Sequence, residues 1–289
     1  MKQSSAGWGN GLLGVIIFSG SLPATRLAVR DFSPIFLTSA RAAIAAVLGA
    51  LFLFALRQQR PAKTELLPLA VVALGVVLGF PLLTALALQH ITAAHSVVFV
   101  GLLPLTTALF AVLRGGERPR PAFWLFSLIG AAIVAGFALM RSGASGSDAA
   151  AGNGLMTAAI ILCGLGYAEG AVLSRRLGGW QVISWALLLS LPVMAALALA
   201  TVPASWQAIG TPAWLSLAYV SIFSMLVGFI FWYRGLAAGG IARVGQLQLL
   251  QPFFGLMLAA LVLNEAIAPA MLLTTIAVVL CVAGAKRFS

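Results

Sequence analysis

Residues 102–121 read LLPLTTALFAVLRGGERPRP, and residues 250–269 read LQPFFGLMLAALVLNEAIAP. Set 148 positions apart, Pro104 falls on Pro252, Glu117 on Glu265 and Pro121 on Pro269, and further along Gly136 falls on Gly284. Leu and Ala matches mean little in so apolar a chain. Pro and acidic residues are scarce, with 13 Pro and six Asp plus Glu in 289 residues. Their coincidence in one ungapped register therefore points to a duplicated unit.

Composition says in which solvent that unit folds. Hydrophobic residues make up 62% of the chain and charged ones 8%, against about 45–50% and about 25% in soluble proteins. A water-soluble globule of this length could not hide so much apolar surface, so most of the chain must lie in lipid. The net charge of +11 invites a nucleic-acid reading, but the basic residues sit in small groups between apolar runs and form no continuous stripe. Topology signals and contacts with anionic headgroups account for them. Cys163 and Cys281 both fall inside apolar runs and read as buried thiols. No CxxC, HExxH, phosphate loop or GxSxG stands in a usable context, and two His cannot build a metal centre. No cofactor, metal or catalytic group is expected. After Lys2, an apolar run without a clear cleavage site reads as a retained first span.

The apolar runs cover about residues 8–25, 34–56, 66–88, 93–113, 121–140, 153–174, 181–201, 212–233, 241–263 and 267–285. Each can cross a hydrocarbon core of about 30 Å. Because peptide groups at that depth have no water partners, each must be helical. The expected fold is an all-α membrane protein of ten transmembrane helices in a 5+5 inverted-topology repeat. The first repeat would span residues 1–145, a linker 146–152 and the second repeat 153–289. Orientation follows from Lys and Arg: a cytoplasmic N-terminus puts thirteen of the 17 on the inside and leaves only Arg26, Arg30, Arg41 and Arg141 outside. Five spans per half then invert the second copy, as in many secondary transporters whose central site can face either side. Trp8, Trp180, Trp206 and Trp214 fall near span ends, where indoles anchor at headgroups.

Ten spans in two halves, the opening Gly20-Ser21-Leu22-Pro23-Ala24-Thr25-Arg26 leading to Ser39-Ala40-Arg41, and the paired Pro104/Glu117 and Pro252/Glu265 carry a resemblance. The chain is similar over its whole length to the EamA-type branch of the drug/metabolite transporter superfamily, and most similar there to the YddG-type exporters of aromatic and other hydrophobic amino acids. The resemblance implies export across the bacterial inner membrane and a cavity with aromatic side chains on helices three, four and six. The matching stretches offer Phe80, Phe99 and Tyr167.

The residues themselves offer candidates. Phe80 and Thr84 stand one turn apart, an aromatic wall and a hydroxyl suited to a zwitterion with an apolar side chain. Ordinary packing explains them equally well. Pro81 between them frees a backbone carbonyl. Ser96, Phe99, Leu103 and Thr106 form a stripe beside Pro104. Gln248 and Gln251 share a face beside Pro252, with Gln246 turned roughly the other way, and Cys163, Tyr167 and Gly170 line one face of the sixth span. Pro81, Pro104 and Pro252 are candidate hinges. Glu169, a carboxylate inside a span, is either a proton carrier or ammonium partner, or the ion-pair partner of Arg175 or Arg176. Arg41 either snorkels to headgroups or attracts a carboxylate. His90 and His95 flank an outer turn and read as solvated. Trp232 and Tyr233 read either as stacking groups or as interfacial anchors, and Glu117 and Glu265 as caps or charge partners at turns.

The expected function is a secondary transporter exporting amino acids, aromatic or otherwise hydrophobic, by alternating access. Its partners would be a small-molecule substrate and the bilayer, with no nucleic acid. Export of drugs or other small metabolites is the alternative within the class. An intramembrane lipid-modifying enzyme is the alternative outside it, disfavoured because no nucleophile, base and carboxylate can be assembled from the spans.

Overall fold

Long apolar runs with few charges leave the chain one way to satisfy its peptide groups, and the structure takes it. A computed structural model describes residues 5–87, 90–91, 99–141, 149–263 and 269–289, and the regular elements among them are all helical. The expectations placed on Ser96, His95 and Glu265 lie outside the described residues. The first half contains α1 (Ser5–Ser19), α2 (Ser21–Ala28), α3 (Pro34–Ala55), α4 (Lys63–Ala87), α5 (Leu103–Gly115) and α6 (Pro121–Arg141). The second contains α7 (Ala149–Leu177), α8 (Gly179–Ala200), α9 (Thr211–Gly239), α10 (Ile241–Gly245), α11 (Gln251–Leu263) and α12 (Pro269–Phe288). Among the described residues five helices, α3, α4, α7, α8 and α9, are long and apolar enough to cross a membrane, and Leu103–Gly115 and Pro121–Gly136 are shorter apolar helices.

Local chemistry sets the helix ends. Ser33 caps α3 by accepting a hydrogen bond from the Phe36 N–H at 3.2 Å, with Pro34 in the first turn where its missing donor costs nothing. Gly116, at φ +66°, ends α5, and Gly178 and Gly240, at φ +94° and +92°, separate α7 from α8 and α9 from α10. Five buried hydroxyls are satisfied within their own helices: Ser19, Ser127, Ser174, Ser190 and Ser221 each donate to the carbonyl four residues back. Outward faces carry Leu51, Phe54, Leu67, Leu199 and Leu215 in place of charges, with Phe54 78% exposed. A lipid surrounding calls for such faces.

The duplication seen in the sequence reappears in the backbone. Helix α4 widens to π geometry over Ala73–Gly79, and α9 does so over Val220–Val227, the same place after a shift of 148. Each widened stretch is closed by an N–H bonding five residues back, Phe80 to Gly75 and Gly228 to Phe223. The second half of each α4/α5 and α9/α11 connection is likewise irregular just before its proline. A turn at Gly101–Leu102 precedes Pro104, and a 3-10 stretch, Gln246–Leu250, precedes Pro252. Pro104 and Pro252 therefore begin helices after a break, where a sequence reading had them kinking continuous spans.

Helices from the two halves pack pairwise and reciprocally. Helix α3 lies on α8 and α6 on α12, while α1 lies on α9 as α7 lies on α4. Glycine sets the closest of these crossings: a Cβ added to Gly235 would sit 2.5 Å from the Gly11 nitrogen, and one on Gly75 2.5 Å from the Leu162 carbonyl oxygen. In lipid, helix association depends on such close contact between backbones. We expect Gly235→Ala to lower the thermal midpoint of the purified protein in detergent, because the clash is with backbone and overpacking costs about 1–3 kcal/mol. Gly9→Ala, where an added Cβ meets nothing within 4 Å, should leave it unchanged.

Candidate functional site: a cavity between the two halves

The widened stretches of α4 and α9 and the glycine-spaced crossings leave an open volume between the halves. Its wall takes Phe18, Ser21 and Thr25 from α1–α2, Leu37, Thr38 and Arg41 from α3, and Val76, Phe80, Pro81 and Thr84 from α4. Cys163 and Tyr167 come from α7, Ser224 and Phe229 from α9, and Gln251 from the start of α11. The empty space, open solvent at its mouth included, is about 1000 Å³. The cavity reaches Val29 and Pro34, in and after the turn joining α2 to α3. Both halves thus contribute to one chamber: each π stretch delivers a side chain to it, Val76 in one copy and Ser224 in the other, and the residues just after add Phe80 and Phe229.

At its inner end the chamber stops on aromatic rings. Phe18 meets Phe229 at 5.0 Å between centroids, Tyr167 meets Trp232 at 5.5 Å, and Phe229 meets Tyr233 at 5.4 Å. Trp232 and Tyr233 are fully buried. They are neither interfacial anchors nor wall residues: α9 runs on to Gly239, so both lie more than a turn inside it, against Gly14 and Gly170. The Tyr233 hydroxyl donates to the Gly166 carbonyl at 3.2 Å. Gln248, also fully buried, lies one layer behind the wall beside the Tyr167 hydroxyl but outside hydrogen-bond geometry.

Beyond the rings lies an ionic layer. Arg114, at the end of α5, donates through Nε and Nη2 to the two Glu169 carboxylate oxygens at 2.9 and 2.8 Å. Arg175 reaches Glu117 at 3.2 Å and Arg176 reaches Glu65 at 3.2 Å. Glu117 also accepts the backbone N–H groups of Ile241 and Ala242 at 2.7 and 2.9 Å, closing the orphan donors at the start of α10. Each of these three ion pairs joins a residue of the first half to one of the second. Lys286 adds a cation over the Trp8 ring at 4.2 Å.

The sequence candidates divide accordingly. Phe80, Pro81, Thr84, Cys163, Tyr167, Gln251 and Arg41 stand together on the cavity wall. Phe99 packs against the hydrophobic core outside that wall, and Gln248 is behind it. Glu169 is away from the chamber, bonded to Arg114 rather than to Arg175 or Arg176. Its partner comes from a helix packed across α7, which residue spacing along one chain cannot show. Pattern reading passed over Phe18, Ser21, Thr25, Thr38, Ser224 and Phe229. Phe18, Ser21 and Thr25 do share a helical face. Nothing in the chain announces that the Ser21 hydroxyl donates to the Ser224 hydroxyl at 2.7 Å across 203 residues. Cys163 and Cys281 are buried free thiols, and no group of His, Cys, Asp and Glu suited to a metal occurs among the described residues.

A helical membrane protein with a chamber between two like halves has the architecture of a transporter. The chain belongs to the EamA-like transporter family, which matches residues 6–140 and again residues 150–285. It is 65% identical over 289 residues, all of both chains, to a Bacillus subtilis (strain 168) protein named uncharacterized transporter YdeK. A solved structure titled only as the crystal structure of a protein covers all of both chains at a TM-score of 0.84 and 20% identity, a likeness of fold. The protein is thus a multi-pass membrane transporter.

The ionic layer is open to test. Arg114→Ala strands the buried Glu169 carboxylate and should lower stability by about 1–3 kcal/mol, read as a fall in thermal midpoint. The double variant Arg114→Ala/Glu169→Gln should recover part of that loss, because no buried charge is then left alone.

Proposed function

We propose that this transporter exports amino acids, aromatic or otherwise hydrophobic, across the bacterial inner membrane by alternating access. The observation that carries the reading is the chamber itself, shared between two like halves, walled by Phe80, Tyr167 and Phe229 with hydroxyls from Thr38 and Thr84, and stopped at one end by rings and ion pairs. An aromatic wall holds an apolar side chain, and the hydroxyls offer hydrogen bonds to a polar head.

The positive-inside rule supplies the direction. The ion-paired end carries Lys63, Arg114, Arg175 and Arg176, among the thirteen Lys and Arg assigned to the inside. On that orientation both termini are cytoplasmic, the chamber faces outward and the ionic layer is the closed inner gate. Ten spans in a 5+5 inverted repeat, with the halves at 1–145 and 153–289 and the linker at 146–152, would let the second copy mirror the first. Rocking about the breaks at Pro104 and Pro252, and about the Pro81 region, would close the outer mouth and part the inner gate. The scarcity of carboxylates in the chamber favours facilitated movement over an Asp/Glu proton relay.

Proteoliposomes holding only this protein test the reading. Labelled phenylalanine and leucine should move into them and not into empty vesicles. Phe80→Ala should reduce that flux roughly three- to ten-fold, the worth of an aromatic contact, while the outward-facing Phe54→Ala should not. Movement of cationic drugs with no movement of amino acids would replace the substrate class. Hydrolytic or transferase turnover without solute movement would replace the function.

A further inference from the structure

The chamber is not electrically neutral. Among the described residues Arg41 is the one Lys or Arg on its wall, and none of the described wall residues is Asp or Glu. Four of the six acidic residues are described, and all are engaged elsewhere: Asp31 accepts the Gly210 N–H at 2.8 Å, while Glu65, Glu117 and Glu169 serve the ionic layer. Arg41, by contrast, makes no ion pair among the described residues, and its buried Nε has no hydrogen-bond partner. Thr84, on the same wall, also has a buried hydroxyl oxygen without a partner. Both groups can donate, and a buried donor left unpaired is costly until something accepts from it.

A guanidinium is shaped to take a carboxylate through two parallel hydrogen bonds, and it repels a cation. Around it the wall is apolar and aromatic: Phe18, Val76, Phe80 and Phe229 share the chamber with Arg41. An ammonium entering the same space meets hydroxyls and an amide but no anion. Resting on the transporter reading above, we infer that Arg41 selects the substrate by its carboxylate, with Thr84 as the second donor. The acid is the required handle, an amine is dispensable, and organic cations are excluded. The class is then amphipathic monocarboxylates, of which hydrophobic amino acids are one part.

The test uses the full-length protein, in detergent for binding and in vesicles for flux. The probes are 3-phenylpropionate (acid without amine), phenethylamine (amine without acid) and tetraphenylphosphonium, each against labelled phenylalanine. We expect 3-phenylpropionate to raise the thermal midpoint and to compete, and the two cations to do neither. Arg41→Gln should weaken 3-phenylpropionate about ten- to a hundred-fold, the range of a hydrogen bond to a charged group. Arg41→Lys should retain part of the affinity, and Thr84→Val should lose a few-fold. Stronger competition by phenethylamine than by 3-phenylpropionate, or unchanged carboxylate affinity in a folded Arg41→Gln, overturns the inference. If Arg41→Gln does not fold, the ranking of the three probes on the wild type decides by itself. The two readings separate cleanly. Carboxylate binding that follows Arg41 in vesicles that move nothing removes the transport reading and keeps this one. Flux indifferent to Arg41 does the reverse.

Discussion

A helix surrounded by lipid gains little by hiding its leucines, since the acyl chains are as apolar as the protein. What holds such helices together is close contact, and here the closest contacts are made where glycine lets backbones meet. Gly11 lies against Gly235 where α1 crosses α9, and Gly75 lies against Gly166 where α4 crosses α7. The two helix pairs are counterparts under exchange of the halves, with the glycine contacts at different levels along them. They fix α1 against α9 and α4 against α7, four helices that supply Phe18, Phe229, Phe80 and Tyr167 to the chamber wall. Between the crossings, the π stretches of α4 and α9 bend the backbone away from regular geometry, a feature often found at functional sites.

Polar contacts in this protein are few and confined. Hydroxyls inside helices bond backward to their own carbonyls, leaving no call on neighbours. Charged cross-helix contacts gather at the two ends, Asp31 with Gly210 at one and the Arg114, Arg175 and Arg176 pairs at the other, while neutral ones such as Ser21 to Ser224 and Tyr233 to Gly166 lie between. Buried polar atoms without partners occur both on the chamber wall, at Arg41 Nε and Thr84 Oγ1, and away from it, at Thr107 Oγ1, Ser184 Oγ and the Gln246 and Gln248 amides.

The helical segments were legible because hydropathy and scarce residues carry the signal. Lipid demands long apolar runs, and Pro and Glu are rare enough for a shift of 148 to stand out. Seven of the candidate site and hinge residues met on one wall for the same reason, since helical spacing groups residues by face. The failures are equally physical. Glu169 found Arg114 because α5 packs on α7, a matter of tertiary neighbours. Trp232 and Tyr233 were taken for residues at a span end because hydropathy falls at Arg234, yet α9 continues to Gly239 and draws both rings inside. The π stretches have no shared residue pattern to announce them: Pro81 follows the first, whereas Phe229 stands at the matching place after the second.

The ion pairs that bridge the halves are lopsided in exposure. Arg114 and Arg176 side chains are 54% and 66% open, while the carboxylates they meet are nearly covered. With the guanidinium still hydrated, each contact is partly screened by solvent, although its covered carboxylate relies on it for compensation. On the proposed reading of this layer as an inner gate, solvent screening suits a closure that parts in steps: several bonds can be broken in sequence, where one buried lock could not. It also makes the resting conformation responsive to its bathing solution. Mobile ions screen charges over about 8 Å at physiological salt and about 3 Å at 1 M, so on that same reading dissolved electrolyte becomes a dial on how long the gate stays shut.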